Sequence, residues 1–202
     1  MVLQRDKPIR IWGRAEADNV VTVSFAGNSR TATADSEGKW EVALAPMPAQ
    51  SSGQALTVKS AEETLVFENV LVGDVWLCSG QSNMEWRLRG SRDADLEIPS
   101  SNSPGLRYLR IRPEGSPGPR ENFPREKGDG VWLQCNPKTA GDCSGVAYFF
   151  GQRLHRHLNV PIGLINAAWG GTMAQHWVTR KLSLIHISEP TRRRGMSYAV
   201  FC

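Results

Sequence analysis

The sequence predicts an α/β protein in which a small β-sandwich, residues 1–67, precedes an incomplete parallel sheet with flanking helices, residues 68–181. Three observations carry that prediction. Over residues 1–70 apolar and polar positions alternate in short runs separated by turn clusters. From Val70 the alternation gives way to a nearly continuous apolar run, the pattern of a strand covered on both faces. Further on, a helical apolar stripe and a second continuous run complete a strand–helix–strand order. Parallel sheets are built this way, with their sites at the carboxyl ends of the strands.

Candidate strands in the first region are Ile9 to Arg14, Val20 to Phe25, Arg30 to Ala34, Lys39 to Leu44, Leu56 to Lys59 and Thr64 to Phe67. Between them EADN, AGNS, DSEG and QSSG supply the Gly, Asn, Asp and Ser that tight turns require. Trp12 and Trp40 are expected to pack in the core or between sheets, as strand aromatics usually do. Val70 to Leu77 is the first buried strand. Residues 90–130 are rich in Pro, Gly, Ser and charge and are expected to form a long surface loop, with only Leu106 to Ile111 strand-like. A helix is predicted from about Ser144 to His157, with Ser144 as N-cap. Val146, Phe149, Phe150, Leu154 and Leu158 form its apolar face. Pro161 to Ala168 is the second buried strand.

Composition narrows the function classes. Hydrophobic residues make up 40% and charged residues 22% of the 202, the balance of a folded globular chain rather than a disordered one. No run of about 18 apolar residues occurs, so no membrane partner is expected. The opening MVLQRDKPIR lacks the apolar stretch of a secretory signal, and the compartment stays open. Half of the formal charge of +4 comes from Arg192, Arg193 and Arg194 set against Glu189, so no nucleic-acid partner is expected either. Cys78, Cys135, Cys143 and Cys202 make no CxxC, and no His stands at zinc-finger spacing; neither a metal nor a cofactor is expected. Cys135 and Cys143 are eight residues apart and could pair in an oxidising compartment, with buried or loop thiols as the default.

Residues 182–202 stand apart from the rest. The run from Leu182 to Arg192 reads as an in-frame translation of a transposase end and adapter used to prepare DNA for sequencing, and Ser197 to Cys202 resembles the adapter's far end. The segment is expected to be a non-native tail on a truncated chain. His186, Cys202 and its arginines are set aside on that ground.

Two constellations carry chemistry. Ser82 sits in Gly80-Gln81-Ser82-Asn83-Met84, directly after the first apolar run. A serine nucleophile needs a rigid strand end, where a backbone N–H can also meet the oxygen that becomes negative in a tetrahedral intermediate. Gly80 permits the sharp turn, and a helix starting there would offer its positive end. The segment is not a GxSxG elbow. Trp169-Gly170-Gly171-Thr172 ends the second run, and its paired glycines suit an oxyanion-binding amide. On residue chemistry alone a plain loop and a tight strand-to-helix turn remain open for the two segments.

GDVWLCSGQSNMEW, from Gly73 to Trp86, is similar to the signature of the sialate O-acetylesterase family within the SGNH class of hydrolases. IGLINAAWGGTMAQHW, Ile162 to Trp177, resembles the same family's second block, and MVLQRDKPIRIWGRA its β-sandwich opening. The resemblance implies an SGNH-like α/β hydrolase domain and a serine esterase that removes O-acetyl groups from sialic acid or related sugars. By position Ser82 is then the nucleophile. The N–H groups of Ser82 and Gly171, or Gly170, would bind the oxyanion, and Gln81, Asn83, Trp86 and Trp177 would hold the loop or contact substrate. The family's general base, a His with an Asp partner in a DxxH-like segment, and a WxQGE-like block have no counterpart here. His155, His157 and His176 are not expected to replace it, so the chain is expected to be inactive and poorly folded. An acetyl-xylan esterase and a non-catalytic carbohydrate-binding protein are the competing readings; oligomeric state is left open.

Overall fold

The computed structural model describes residues 1–61, 63–115 and 130–178. The 182–202 segment and residues 116–129 of the anticipated loop lie outside them. The chain divides into two units, Met1–Gly170 and Gly171–Cys202.

The first unit is a mixed α/β structure. Its elements are β1 (Val2–Gln4), β2 (Ile9–Arg14), β3 (Val20–Phe25), β4 (Asn28–Thr33), β5 (Lys39–Leu44), β6 (Gln50–Lys59), β7 (Thr64–Gly80), α1 (Ser82–Glu85), α2 (Ala94–Ser100), β8 (Ser103–Arg110), β9 (Trp132–Cys135), α3 (Gly145–Leu158) and β10 (Ile162–Ala168). Eight of the described strands form one sheet in the order β4-β3-β6-β7-β10-β8-β9, with β1 also paired to β7; β2 and β5 make a separate antiparallel pair.

β7 joins the two halves of that sheet. Its first part runs antiparallel to β6, while Asp74 to Gly80 run parallel to Ile162 to Ala168 of β10. β8 is parallel to β10 on the other side. Residues 67 and 68 therefore fall within one continuous strand. Two cores lie along it. In the first, Ile9, Trp40, Val42 and Leu44 of the β2–β5 pair pack with Val21, Val23, Phe25, Leu56, Val70 and Val72 of the large sheet. In the second, Ala147 and Tyr148 of α3 pack with Leu106, Tyr108, Ile162 and Leu164. A buried arginine ties the strands between them. Arg107 is 4% exposed and donates to Met1 O (3.1 Å), Asn69 O, Asn69 Oδ1 (2.8 Å) and Pro104 O (3.2 Å).

The structure corrects several expectations. Trp40 is buried, but Trp12 is 70% exposed, because β2 alternates inward at Ile9 and outward at Arg10 and Trp12. The helix forms with Ser144 as its cap, whose Oγ accepts from Ala147 N at 3.2 Å, yet its buried side differs from the anticipated stripe. Gly145, Ala147, Tyr148, Gly151 and Gln152 face inward, while Val146, Phe149, Phe150 and Leu158 are exposed. Gly151 lets α3 lie close to the sheet, since a Cβ on it would stand 2.8 Å from methyls of both Leu106 and Leu164, and Leu154 of the anticipated stripe packs on the same core. β7 is not covered on both faces to its end. Trp76 and Leu77 are 44% and 67% exposed, with Phe150 of α3 meeting Trp76 edge-on, ring centres 5.1 Å apart. Residues 90–130 are not simply loop, since α2 and a longer β8 occur there. β1 and β9 were too short to read as periodic patterns.

Candidate active site

β7 ends on Gly80, whose φ of +144° belongs to a region that side chains disfavour. That turn sends the chain directly into α1. Gln81 caps the single helical turn in an extended conformation, and its carbonyl accepts from Met84 N and Glu85 N, both at 3.0 Å. Ser82 is the first residue of the turn and is exposed. At such a position the N–H groups of Ser82 and Asn83 have no intrahelical acceptor, and the turn's positive end faces the same way.

Three bonds fasten this turn to the end of β10. Trp169 N donates to Gly80 O at 2.9 Å, and Asn166 Nδ2 to Met84 O at 3.3 Å. Gly170 N donates to Glu85 Oε2 at 2.8 Å. A Cβ on Gly170 would stand 2.5 Å from Glu85 Oε2, which would have to swing aside, and 3.5 Å from Ser82 Cα and Cβ. The glycine lies against the serine itself. Beside this contact a cleft of about 270 Å³ opens at the carboxyl ends of β8 and β10, lined in part by Glu85, Arg87, Arg110, Asp142, Ser144 and Asn166. Arg87 Nη1 and Asp142 Oδ1 form an ion pair across it at 2.9 Å, joined by Arg89.

The other anticipated site residues divide as follows. Gln81 and Asn83 are exposed on either side of Ser82. Trp86 is 60% exposed and its indole lies against Gly90. Gly171 and Trp177 belong to the second unit. There Gly171 has φ +76°, Trp177 Nε1 donates to Thr172 Oγ1 at 2.8 Å, and Met173 N donates to His176 Nδ1 at 3.1 Å. His155 and His157 sit in the last turn of α3. His155 Nδ1 meets Val160 O at 2.7 Å, just before β10 begins, whereas Ser82 follows the ends of β7 and β10. A strand of seven residues separates them, roughly 20 Å at ~3.3 Å per residue, so neither histidine reaches the serine. Among the described residues the Ser82 hydroxyl makes no hydrogen bond.

Sequence reasoning passed over Glu85, Asn166 and the cleft arginines. Glu85 had a readable signal: at i+3 from Ser82 it shares a face of any helix that starts there. Asn166 sat unmarked inside a run read as plain strand. Close by, Cys78 is buried, and burial pushes its thiol up to about 11.

This mixed sheet with its flanking helices places the chain among α/β proteins. The family described as carbohydrate esterase, sialic acid-specific acetylesterase, matches residues 72–189, more than half of the chain, and the chain belongs to it. The matched stretch ends inside the 182–202 segment. Sialate O-acetylesterase of Rattus norvegicus is 32% identical over 199 residues, covering 90% of this chain and 36% of that protein. The Homo sapiens protein of the same name is 30% identical over 193 residues, covering 88% and 36%. A crystal structure of a carbohydrate acetylesterase from Xanthomonas citri superposes with a TM-score of 0.83 at 36% identity, covering 88% of this chain and 40% of that one. The chain thus spans well under half the length of these relatives.

Proposed function

We propose that this chain is part of a serine carbohydrate esterase that removes O-acetyl groups from sialic acid or a related acetylated sugar. One observation carries the reading: Gly170, at the end of β10, packs against Ser82 on the first turn after β7. Ser82 Oγ attacks the acetyl carbonyl, and the N–H groups of Ser82 and Gly171 receive the developing oxyanion. Gly170 is the alternative donor and would first have to leave Glu85. Gln81, Asn83, Trp86 and Trp177 hold the loop or line the sugar site. The division into a β-sandwich, 1–67, and an SGNH-like domain, 68–181, with a non-native tail, 182–202, belongs to the same reading; the packing of the β2–β5 pair on the large sheet supports its first part.

A serine without a base stays protonated at neutral pH, and no described residue of the first unit offers Ser82 one. The chain as it stands is therefore proposed to be inactive. Two measurements test these statements. Aryl-acetate turnover by the chain that disappears in Ser82→Ala would overturn the second. For the first, the gene is amplified from source DNA across the codon for Lys181, and its full product is assayed. Acetate release from O-acetyl sialic acid or acetylated xylan should fall at least about 1,000-fold in Ser82→Ala. Unchanged turnover in that variant, or glycan binding with no turnover, would sink the esterase reading.

A further inference from the structure

We propose that Cys135 and Cys143 form a disulfide when this chain folds in an oxidising environment. Cys135 and Cys143 lie together in the second buried cluster, near enough for Cys135 to raise the Cys143 thiol. Cys135 ends β9, and Cys143 follows a short 3-10 turn, Ala140–Asp142, which folds the chain back on itself. That return is held in place independently of the sulfurs. Thr139 N and Ala140 N donate to Asn136 O at 3.0 and 2.8 Å, Cys143 N donates to Ala140 O at 3.1 Å, and the Tyr108 hydroxyl donates to Thr139 O at 2.7 Å. Both cysteines are essentially without solvent exposure, at 0% and 1%, so a bond between them would be shielded from external thiols.

The bridge would brace the backing of the Ser82 turn. Leu88 N donates to Cys143 O and Gly145 N to Trp86 O, both at 2.8 Å, which lays the chain after Cys143 along the chain after α1. The inference needs no role for Ser82 and stands apart from the proposed activity. Its chemistry is a two-electron exchange. The two thiols give up two protons and two electrons, the sulfur–sulfur bond forms, and oxidised glutathione accepts the electrons as it splits into two thiols. The neighbouring Cys135 and burial hold the Cys143 thiol well above its ordinary range, so the folded dithiol holds little thiolate. The exchange accordingly belongs to the folding chain.

The test refolds the full chain from guanidinium in a glutathione redox buffer, blocks free thiols by alkylation and maps tryptic peptides by mass. Trypsin cuts at Lys138, so the bridge would join two peptides. A parallel sample is oxidised while still in guanidinium. The expected result is a Cys135–Cys143 linkage several times more abundant than in denaturant, with Cys78 alkylated and the linkage retained in Cys78→Ser. The oxidised chain should also melt about 5–10 °C above the reduced one. Recovery of both cysteines alkylated, pairing of either with Cys78 or Cys202, or a share no higher than in denaturant would overturn the proposal.

Discussion

The Glu85 carboxylate accepts the backbone N–H of Gly170 at 2.8 Å, fixing the end of β10 to the turn that carries Ser82. The bond occupies the Gly170 amide. A Cβ at Gly170 would press on the same carboxylate and loosen the tie. Glu85→Ala should expose the Gly170 amide and raise its hydrogen-exchange rate about tenfold. Because Glu85 is exposed, stability should drop by only about 1 kcal/mol. Glu85→Gln keeps an acceptor oxygen and should restore most of the protection. An amide at Gly170 that exchanges equally in all three proteins would show that the tie does not persist in solution.

How much of this was legible in the sequence depends on what each pattern reports. β2, β3 and β5 begin and end where alternation and turn residues put them, because each carries one buried face. Ser82 and Gly170 were legible as strand-end residues, since both follow continuous apolar runs. Their mutual contact was not, because the pairing of Gly80 with Ala168 is a matter of sheet register. α3 shows the opposite failure. Its boundaries and cap were readable, but the buried side was mostly not: Leu154 of the anticipated stripe packs on the core, while Gly151 and Tyr148 rather than Val146, Phe149 and Phe150 face Leu106 and Leu164.

That reversal gives a paired test. Ala147 is 1% exposed and Val146 is 52% exposed, so adjacent positions should respond oppositely to a change in size. Ala147→Leu should cost about 1–3 kcal/mol by overpacking the helix–sheet contact. Val146→Ala should cost less than about 1 kcal/mol, since its half-exposed side chain is offset by the better helix propensity of alanine. Urea unfolding measures both. A larger loss at Val146 would restore the anticipated stripe as the buried face.

Arg107 invites a second substitution. Its donors meet carbonyl and amide oxygens of Met1, Asn69 and Pro104, so it links β8 to the chain around β1 and β7. Arg107→Met fills similar space but removes the donor from Asn69 O, Asn69 Oδ1 and Pro104 O, while Met1 O keeps the N–H of Leu71. The expected loss is about 2–4 kcal/mol, reflecting the cost of several unsatisfied groups. Arg107→Lys should recover only part of it, because a single ammonium cannot reproduce the planar fork. Equal midpoints for the methionine variant and the parent would mean that water already satisfies these oxygens.

The buried phenols and thiols set an alkaline limit. Burial pushes Cys78 from 9.0 up to about 11 and Tyr148 from 10.0 up to about 12, while Tyr108 is raised by burial and the nearby Cys143 and Cys135. Between pH 9 and 11 the unfolded chain has released the Cys78 proton and the folded chain has kept it. The unfolded state then binds fewer protons, so stability is full below pH 9 and falls as pH rises through that window. Each such group contributes up to about 1 kcal/mol per pH unit once partial solvent access is allowed for. Urea midpoints in reducing buffer should therefore decline from pH 9 upward. Cys78→Ala, whatever its own stability, should flatten the first part of that decline and leave the tyrosine-driven part above pH 10 in place. A slope between pH 9 and 10 identical in the two proteins would remove Cys78 as the source.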